Sequence, residues 1–180
     1  MSEDTVSAPP MTMRSSPIVE RPSFAAGYGI KPADPDRMAA WETVVAKLAR
    51  ARNYWVATTR PDGHPHVAPV WGFWTADALH FGTDPTSRKG RNLTVCPDVA
   101  VHLESGDDVV ILEGAVETID DPAVVRPIMA AYKEKYAMSP ADGESLDAQT
   151  AAILRLRPRV AFAWLESSFP DTATRFRFQD

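Results

Sequence analysis

The chain has few of the features that assign a sequence to common protein classes. Its 180 residues include a single cysteine, Cys96, so an intrachain disulfide is excluded. There is no run of about 18 apolar residues, and no basic N-terminal region leads into an apolar stretch. We therefore expect a cytoplasmic protein that does not span a membrane.

Other missing features reduce the number of possible functions. The formal net charge of −5 argues against a nucleic-acid-binding surface. The sequence contains no Gly-x-Ser-x-Gly elbow, no Walker-type glycine spacing and no internal repeat. Cys96 has no partner residues that indicate a nucleophile, and it is interpreted as a small buried hydrophobic residue.

The first 35 residues differ in composition from the rest. Six of the 16 prolines lie there, at positions 9, 10, 17, 22, 32 and 35. Such a segment is expected to be extended or disordered, because proline interrupts helices and central strands. Phe24 and Tyr28 can fasten its later part to the body, or the segment can wrap a partner subunit. We divide the chain into this extension, residues 1–35, and one folded domain, residues 36–180.

The domain is predicted to be mainly β with flanking helices, an α+β fold. Apolar periodicity predicts a helix from Asp34-Pro35 to about Arg50, another from Asp121-Pro122, and a short one starting near Ser87. One or two further short helices are predicted over Ser139-Pro140 and 145–154. Strand patterns cover residues 54–59, 67–74, 78–81, 99–104, 109–119, 160–165 and 174–178. Pro61-Asp62-Gly63 predicts a tight turn after the first of these strands.

The segment from Phe81 to Leu93 is the most informative part of the sequence. It places a capping hydroxyl (Ser87), a guanidinium (Arg88) and an ammonium (Lys89) together where a helix begins. A helix start offers free N–H groups and the positive end of the peptide dipole, so this pattern favours an oxyanion such as phosphate. The alternative is that Ser87 only caps the helix and that the basic side chains are solvated.

The strand from Val67 to Trp74 carries apolar side chains on both faces. Val67, Trp71 and Phe73 alternate with Ala68, Val70 and Trp74. One face can fill a barrel, and the other must meet a helix, a ligand or a second subunit. Either both tryptophans are core residues, or one is available for stacking or for an interface.

The histidines indicate no catalytic or metal centre. His64-x-His66 places two imidazoles on one strand face, but the next glutamate is Glu104, far along the chain, so a metal site is not predicted. His80 and His102 are interpreted as structural histidines with satisfied hydrogen bonds.

These motifs together resemble the pyridoxamine 5′-phosphate oxidase family of split β-barrels, FMN-binding-like proteins that use flavin mononucleotide (FMN), deazaflavin F420 or sometimes haem. The resemblance runs from about Trp41 to Phe178. It depends mainly on the Thr83…Ser87-Arg88-Lys89…Asn92 segment, the Pro-Asp-Gly hairpin and the run Val101-His102-Leu103-Glu104-Ser105-Gly106-Asp107. It implies a homodimer with the cofactor between the subunits, acting on a small-molecule substrate.

The resemblance also implies a set of cofactor-binding residues. Thr83, Ser87, Arg88, Lys89 and Asn92 would hold the cofactor phosphate. The strand from Val67 to Trp71 would run beneath the ring, with backbone groups near its polar edge. C-terminal residues of the opposite subunit would complete the site. The full set is Val67, Pro69, Val70, Trp71, Thr83, Ser87, Arg88, Lys89, Arg91, Asn92, Trp164 and Arg175.

The cofactor is predicted to be F420, with FMN as the alternative. The vitamin B6 oxidases carry an Arg-x-x-Leu-Leu-Lys strand and an Arg-Leu-x-Pro ending, and this chain has neither. Its 14 arginines against five lysines suggest a high-GC genome, in which deazaflavin-using relatives are common. Arg91 lies one turn beyond the phosphate segment, where it can meet an anionic tail. The expected activity is that of an F420-dependent oxidoreductase. A non-catalytic cofactor carrier or a haem-binding split barrel remains open.

Overall fold

The computed structural model describes residues 16–75, 77–138 and 152–179. The helices are α1 (Trp41–Arg50), α2 (Arg88–Val95), α3 (Pro122–Lys135) and the single turn α4 (Phe169–Thr172). The strands are β1 (Ile18–Glu20), β2 (Asn53–Thr59), β3 (Pro65–Thr75), β4 (Ala78–Thr83), β5 (Asp98–His102), β6 (Asp108–Ile119), β7 (Ala152–Leu156), β8 (Val160–Leu165) and β9 (Thr174–Arg177).

Six antiparallel strands close into a barrel. Around the barrel the order is β2, β3, β4, β7, β6 and β5, and β5 pairs again with β2. The first half of β6, Asp108 to Glu113, also pairs with β8, and β9 and β1 continue the sheet outward from there. The structure confirms the predicted fold class, a split β-barrel with flanking helices.

The barrel core follows from the alternation of apolar residues along the strands. On β2, Tyr54, Val56 and Thr58 point inward and are buried, while the intervening residues are partly exposed. Helix α1 covers one side, with Val44 and Leu48 buried. The Trp41 ring lies 6.0 Å from that of Trp74 and 5.1 Å from that of Phe176.

Helix α1 begins six residues later than the sequence predicted. Asp34-Pro35 forms an isolated turn, in which the Asp34 carbonyl accepts from the backbone N–H groups of Arg37 and Met38. The backbone N–H of Ala39 then donates to Thr174 Oγ1 at 2.8 Å, which ties the chain to β9. This tertiary contact interrupts the helical pattern, and the helix starts only at Trp41.

The predicted helix over residues 145–154 is wrong at its C-terminal end. Residues 152–154 belong to β7, which pairs with β4 on one side and with β6 on the other. The backbone hydrogen bonds to these two neighbouring strands outweigh the local preference of these residues for a helix. The remainder of this helix, and the helix predicted at Ser139-Pro140, lie outside the described residues.

The described part of the N-terminal extension packs on the C-terminal strands. Strand β1 pairs with β9, and Arg21 Nη1 donates to the carbonyls of Asp171 and Ala173 at 2.7 and 2.8 Å. The Phe24 ring lies 5.1 Å from that of Phe169, and Tyr28 lies 6.1 Å from the same ring. The predicted fastening by these two aromatic residues is confirmed, while the domain boundary at residue 35 stays a prediction.

In the described residues, no helix combines the length and apolar character needed to cross a membrane.

Candidate functional site

The turn between β4 and α2 is built as a helix start. Ser87 is the N-cap of α2, and its hydroxyl accepts from the backbone N–H of Gly90 at 3.0 Å. Asp84 orders the preceding turn by accepting from the backbone N–H and the hydroxyl of Thr86, both at 2.7 Å. The Thr83 hydroxyl lies 3.3 Å from that of Ser87. The predicted strand-turn-cap arrangement is confirmed.

Gly90 allows this turn to pack directly against the helix. A Cβ atom at this position would lie 2.7 Å from both the Cα and the carbonyl oxygen of Pro85. Those neighbours are backbone atoms that cannot rotate away, so a side chain would force α2 off the turn. The absence of a side chain keeps the capped helix start close to the end of β4.

Two cations lie in the first turn of α2. Among the described residues, Arg88 and Lys89 form no hydrogen bond or ion pair, and Arg88 is exposed. Burial lowers the pKa of the half-buried Lys89 ammonium below its usual value. Arg91 instead turns back and donates to the Thr86 carbonyl. The helix start therefore has two cations available for an anion.

Asn92 is fully buried and links α2 to the barrel. Its Nδ2 donates to Thr58 Oγ1 at 2.9 Å, while its Oδ1 is sealed from solvent and has no hydrogen-bond partner in the described structure. Thr58 lies 3.4 Å from Nδ1 of His66 on the facing strand. These contacts give Asn92 an anchoring role, and its predicted contact with phosphate stays a prediction.

The outward face of β3 is open and apolar. Val67 is 52% exposed and Trp71 is 41% exposed, and Pro69 lies between them on the same face. Val70 and Trp74 point the other way into the core. The two tryptophans of this strand therefore differ in role: Trp74 is a core residue, and the exposed Trp71 is available for stacking.

The Trp71 ring packs against residues that were not among the predicted site residues. It stacks on Tyr136 at 4.5 Å with an interplanar angle of 5°, and the Arg52 guanidinium lies 5.1 Å from the Trp71 ring centre. The Tyr136 hydroxyl donates to the Arg52 carbonyl at 2.6 Å and accepts from the backbone N–H of Gly72 at 2.8 Å. The platform is rigid because hydrogen bonds and cation–π contacts fix each ring.

Lys135 reaches the barrel end beside this platform. Its Nζ donates to the Gly72 carbonyl at 2.9 Å and to the Tyr54 hydroxyl at 3.2 Å. Burial lowers the pKa of Lys135 to about 8. No local sequence pattern indicates Arg52, Lys135 or Tyr136. Arg52 and Tyr136 are 84 residues apart in the sequence, and they meet only because α3 packs against the barrel.

The two predicted C-terminal residues lie elsewhere in the same chain. Trp164 on β8 contacts the rings of Phe24 and Phe169 at 6.4 and 5.6 Å. Arg175 on β9 donates to Glu20 Oε1 at 3.0 Å. Among the described residues, no hydrogen bond or ring contact joins either one to the β4–α2 turn. The structure of one chain therefore does not bring them to the site.

The four histidines differ in burial: His64 and His102 are exposed, His66 is half-buried and His80 is buried. The His64 ring lies 3.1 Å from the Asp62 carboxylate, and His102 Nδ1 lies 2.7 Å from the Leu103 carbonyl. No three potential metal ligands cluster within the described ranges. The interpretation of His80 as a satisfied histidine is wrong, because His80 is buried and its Nδ1 has no hydrogen-bond partner within the described ranges.

A family comparison agrees with this architecture. The sequence model of the family described as pyridoxamine 5′-phosphate oxidase matches residues 40–165, which is most of the chain. The chain belongs to the pyridoxamine 5′-phosphate oxidase family. Among curated proteins, no significant match exists.

Solved structures of similar fold carry different functional names. A conserved hypothetical protein from Mycobacterium tuberculosis is 22% identical with a TM-score of 0.63, over 75% of this chain and 90% of that one. A protein named F420 reductase is 27% identical with a TM-score of 0.53, over 64% of this chain and 93% of that one. A haem storage protein from Vibrio cholerae is 19% identical with a TM-score of 0.56, over 67% of this chain and 91% of that one. Membership of the family therefore does not identify the cofactor of this chain.

Proposed function

We propose that this protein is an oxidoreductase that binds deazaflavin F420 and reduces a small electrophilic organic substrate. The observation that carries the proposal is the helix start at Ser87, where Arg88 and Lys89 have no protein partner among the described residues. Two cations and a capped helix N-terminus suit a phosphate, because they supply charge-assisted hydrogen bonds as well as a favourable dipole.

The residues present fit a phosphate-bearing tricyclic cofactor. Such a group, when bound, supplies the hydride-transfer chemistry. Arg88 and Lys89 would hold its phosphate. Val67 and Trp71 form an exposed apolar face on which its ring would lie, and Tyr136 and Arg52 keep the Trp71 side chain from rotating. A bound phosphate would also compensate the partial desolvation that lowers the pKa of Lys89. The chain would thus bind, orient and shield the cofactor.

One observation favours F420 over haem, and a second favours F420 over FMN. The structurally similar protein named F420 reductase is 27% identical to this chain, above the identity of the haem storage protein. Arg91 lies one turn beyond the phosphate site and is exposed, so it can meet the longer anionic tail of F420. Its present hydrogen bond to the Thr86 carbonyl is on the surface and is exchangeable.

The site would be completed in a homodimer. Among the described residues of one chain, Trp164 and Arg175 form no hydrogen bond or ring contact with the β4–α2 turn, and the outer face of β3 is open and apolar. A second subunit that covers this face would place its own residues against the cofactor. This assembly also explains why large apolar side chains occur on the outside of the barrel.

The cofactor assignment is tested by titration of the purified protein with F420 and with FMN. We expect tighter binding of F420, and replacement of both Arg88 and Lys89 by alanine should weaken it at least 100-fold, since each lost contact is worth about 1.5–3 kcal/mol. A variant with Arg50→Ala and Lys133→Ala removes the same charge from other exposed positions and should bind like the parent. Unchanged binding by the folded Arg88/Lys89 variant would refute the phosphate site.

The same measurements separate the alternatives. Arg91→Glu should weaken F420 more than FMN, because only F420 has the anionic tail. Tight FMN binding without measurable F420 binding would assign the protein to the FMN-dependent members of the family. Binding of F420 without reduction of any electrophilic acceptor by the reduced cofactor would indicate a carrier. Release of haem from the purified protein would favour the haem-binding alternative.

A further inference from the structure

A cavity lies beneath α3, apart from the proposed cofactor site. Its volume is about 380 Å³, and its walls come from α3 and from the outward faces of β3, β4, β6 and β7. This volume is within the range of about 300–1,000 Å³ that is typical of small-molecule sites. Neither the phosphate segment at Ser87–Lys89 nor the exposed strand face from Val67 to Trp71 lines it.

The cavity has mainly apolar walls. Phe73, Ile119 and Ile128 are at most 8% exposed and form a small hydrophobic cluster of their own. Val125 and Met129 line the same cavity from α3. The two charged residues of the lining, Asp120 and Arg126, are exposed and of opposite sign. A ligand in this space would lose most of its hydration, so an uncharged molecule suits it best.

The imidazole of His80 is buried in this apolar lining. His80 is only 3% exposed, and neither ring nitrogen forms a hydrogen bond among the described residues. Its ring stacks on Phe73, with 5.4 Å between the ring centres. Buried polar groups are nearly always hydrogen-bonded, so an unpaired imidazole in the wall of a cavity is a candidate contact for a bound molecule.

The protonation state of His80 indicates what it can recognise. Burial, aided by the nearby Arg155 and Arg157, lowers the pKa of His80 to about 4, so the imidazole is neutral at physiological pH. Nδ1 is sealed from solvent, and a sealed N–H without an acceptor is rare, so the proton belongs on Nε2. The ring can then donate one hydrogen bond from Nε2.

Tyr132 supplies a second donor to the same cavity. Burial raises the pKa of its hydroxyl to about 12, so the phenol stays protonated. Among the described residues this hydroxyl has no hydrogen-bond partner. The Tyr132 ring lies 4.8 Å from that of Tyr136, which stacks on Trp71.

We propose that this cavity is a second binding site, for an uncharged, largely apolar molecule of one or two rings that carries a carbonyl oxygen. The oxygen accepts a hydrogen bond from His80 Nε2 or from Tyr132, and the ring system packs among Phe73, Ile128 and Met129. The site does not depend on which cofactor the protein uses.

The test uses the full-length protein and a pair of probes that differ in one group. 2-Acetylnaphthalene and 2-ethylnaphthalene have nearly the same shape, but only the first carries a carbonyl. Affinities are measured by displacement of the neutral fluorescent ketone 6-propionyl-2-(dimethylamino)naphthalene. We expect the ketone to bind roughly 2- to 10-fold more tightly than the hydrocarbon, the effect of one hydrogen bond to a neutral donor.

Variants locate the binding. His80→Phe and Tyr132→Phe each keep an aromatic ring but remove one donor, so the two together should abolish the preference for the ketone while the hydrocarbon still binds. Met129→Trp should fill the cavity and abolish binding of both probes, and thermal unfolding verifies that each variant is folded. The variant with Arg88→Ala and Lys89→Ala should bind both probes like the parent, even where it has lost cofactor binding.

Three outcomes would overturn the proposal. One is absence of probe binding to the parent protein. A second is displacement of the dye by F420 or FMN, because the cavity would then belong to the cofactor site. The third is tighter binding of 2-naphthoate than of the ketone, because the cavity would then select an anion.

Discussion

At the scale of single residues, the chain uses polar groups in opposite ways at its two candidate sites. Among the described residues, Arg88 and Lys89 have no hydrogen-bond or ion-pair partner, and they lie at an accessible helix start. His80 is a neutral imidazole inside an apolar layer, with no hydrogen-bond partner in the described part of the chain. The first arrangement suits an anion, because free donors and positive charge coincide. The second suits an uncharged molecule, because burial keeps the imidazole neutral.

The burial of His80 predicts an acid-sensitive stability. Its pKa is about 4 in the folded chain, below the ordinary value of 6.5, because burial and the nearby Arg155 and Arg157 disfavour the charged ring, against the opposing charge of Glu117. Between these pH values the unfolded state binds the proton and the folded state does not. The free energy of unfolding should therefore fall as the pH is lowered from about 6.5 to 4, by up to about 3 kcal/mol.

Chemical denaturation at a series of pH values measures this effect. His80→Phe removes the titrating group and keeps an aromatic ring against Phe73, so its stability should vary less over the same pH interval. His102→Phe is the matched control, because His102 is exposed and should leave the acid sensitivity in place. An identical pH dependence in the parent and His80→Phe would contradict the assignment.

At the scale of elements, the β4–α2 turn depends on the close approach that Gly90 permits. Gly90→Ala would press a methyl group against the Pro85 backbone, 2.7 Å from its Cα atom, and would shift α2 away from β4. Since overpacking costs about 1–3 kcal/mol, we expect a loss of stability of that order together with weaker cofactor binding. Denaturation and cofactor titration measure the two effects.

Gly106 provides the control for this substitution. A Cβ atom there has no neighbour within 4 Å, so Gly106→Ala should leave both stability and cofactor affinity near the parent values. If Gly90→Ala were equally neutral, the tight packing of the turn against α2 would not matter for the site.

At the scale of the whole molecule, the exposed apolar face of β3 predicts a homodimer. Val67 and Trp71 on this face are 52% and 41% exposed, and such residues rarely remain open in a stable monomer when they are contiguous. Sedimentation equilibrium at micromolar concentration should give twice the chain mass. Val67→Glu should shift the protein toward monomer, because it buries a charge at the interface.

The matched substitution is Val19→Glu. Val19 is a similarly exposed valine, but it lies on β1 at the other end of the sheet order. The Val19→Glu substitution should therefore leave the dimer intact. A monomeric parent protein would remove the groove in which the cofactor is proposed to lie. Dissociation by Val19→Glu alone would move the interface to the N-terminal extension.

The sequence by itself determined most of the strands and the capped helix start. Strand alternation is local, with a period of two, so β2, β3 and β8 could be predicted closely from their own residues. The cap at Ser87 and the turn at Gly63, whose φ is +83°, depend on chemistry within a few residues. These are the features whose energies come from near neighbours along the chain.

Only the tertiary structure decided where contacts between distant segments override local preference. The bond from Ala39 to Thr174 delays α1, and pairing on both sides makes residues 152–154 a strand. Trp71 is fixed by Arg52 and Tyr136, and the pocket around His80 forms only when α3 covers β4. Sequence patterns cannot show these arrangements, because their energies depend on residues that meet only after the barrel has closed.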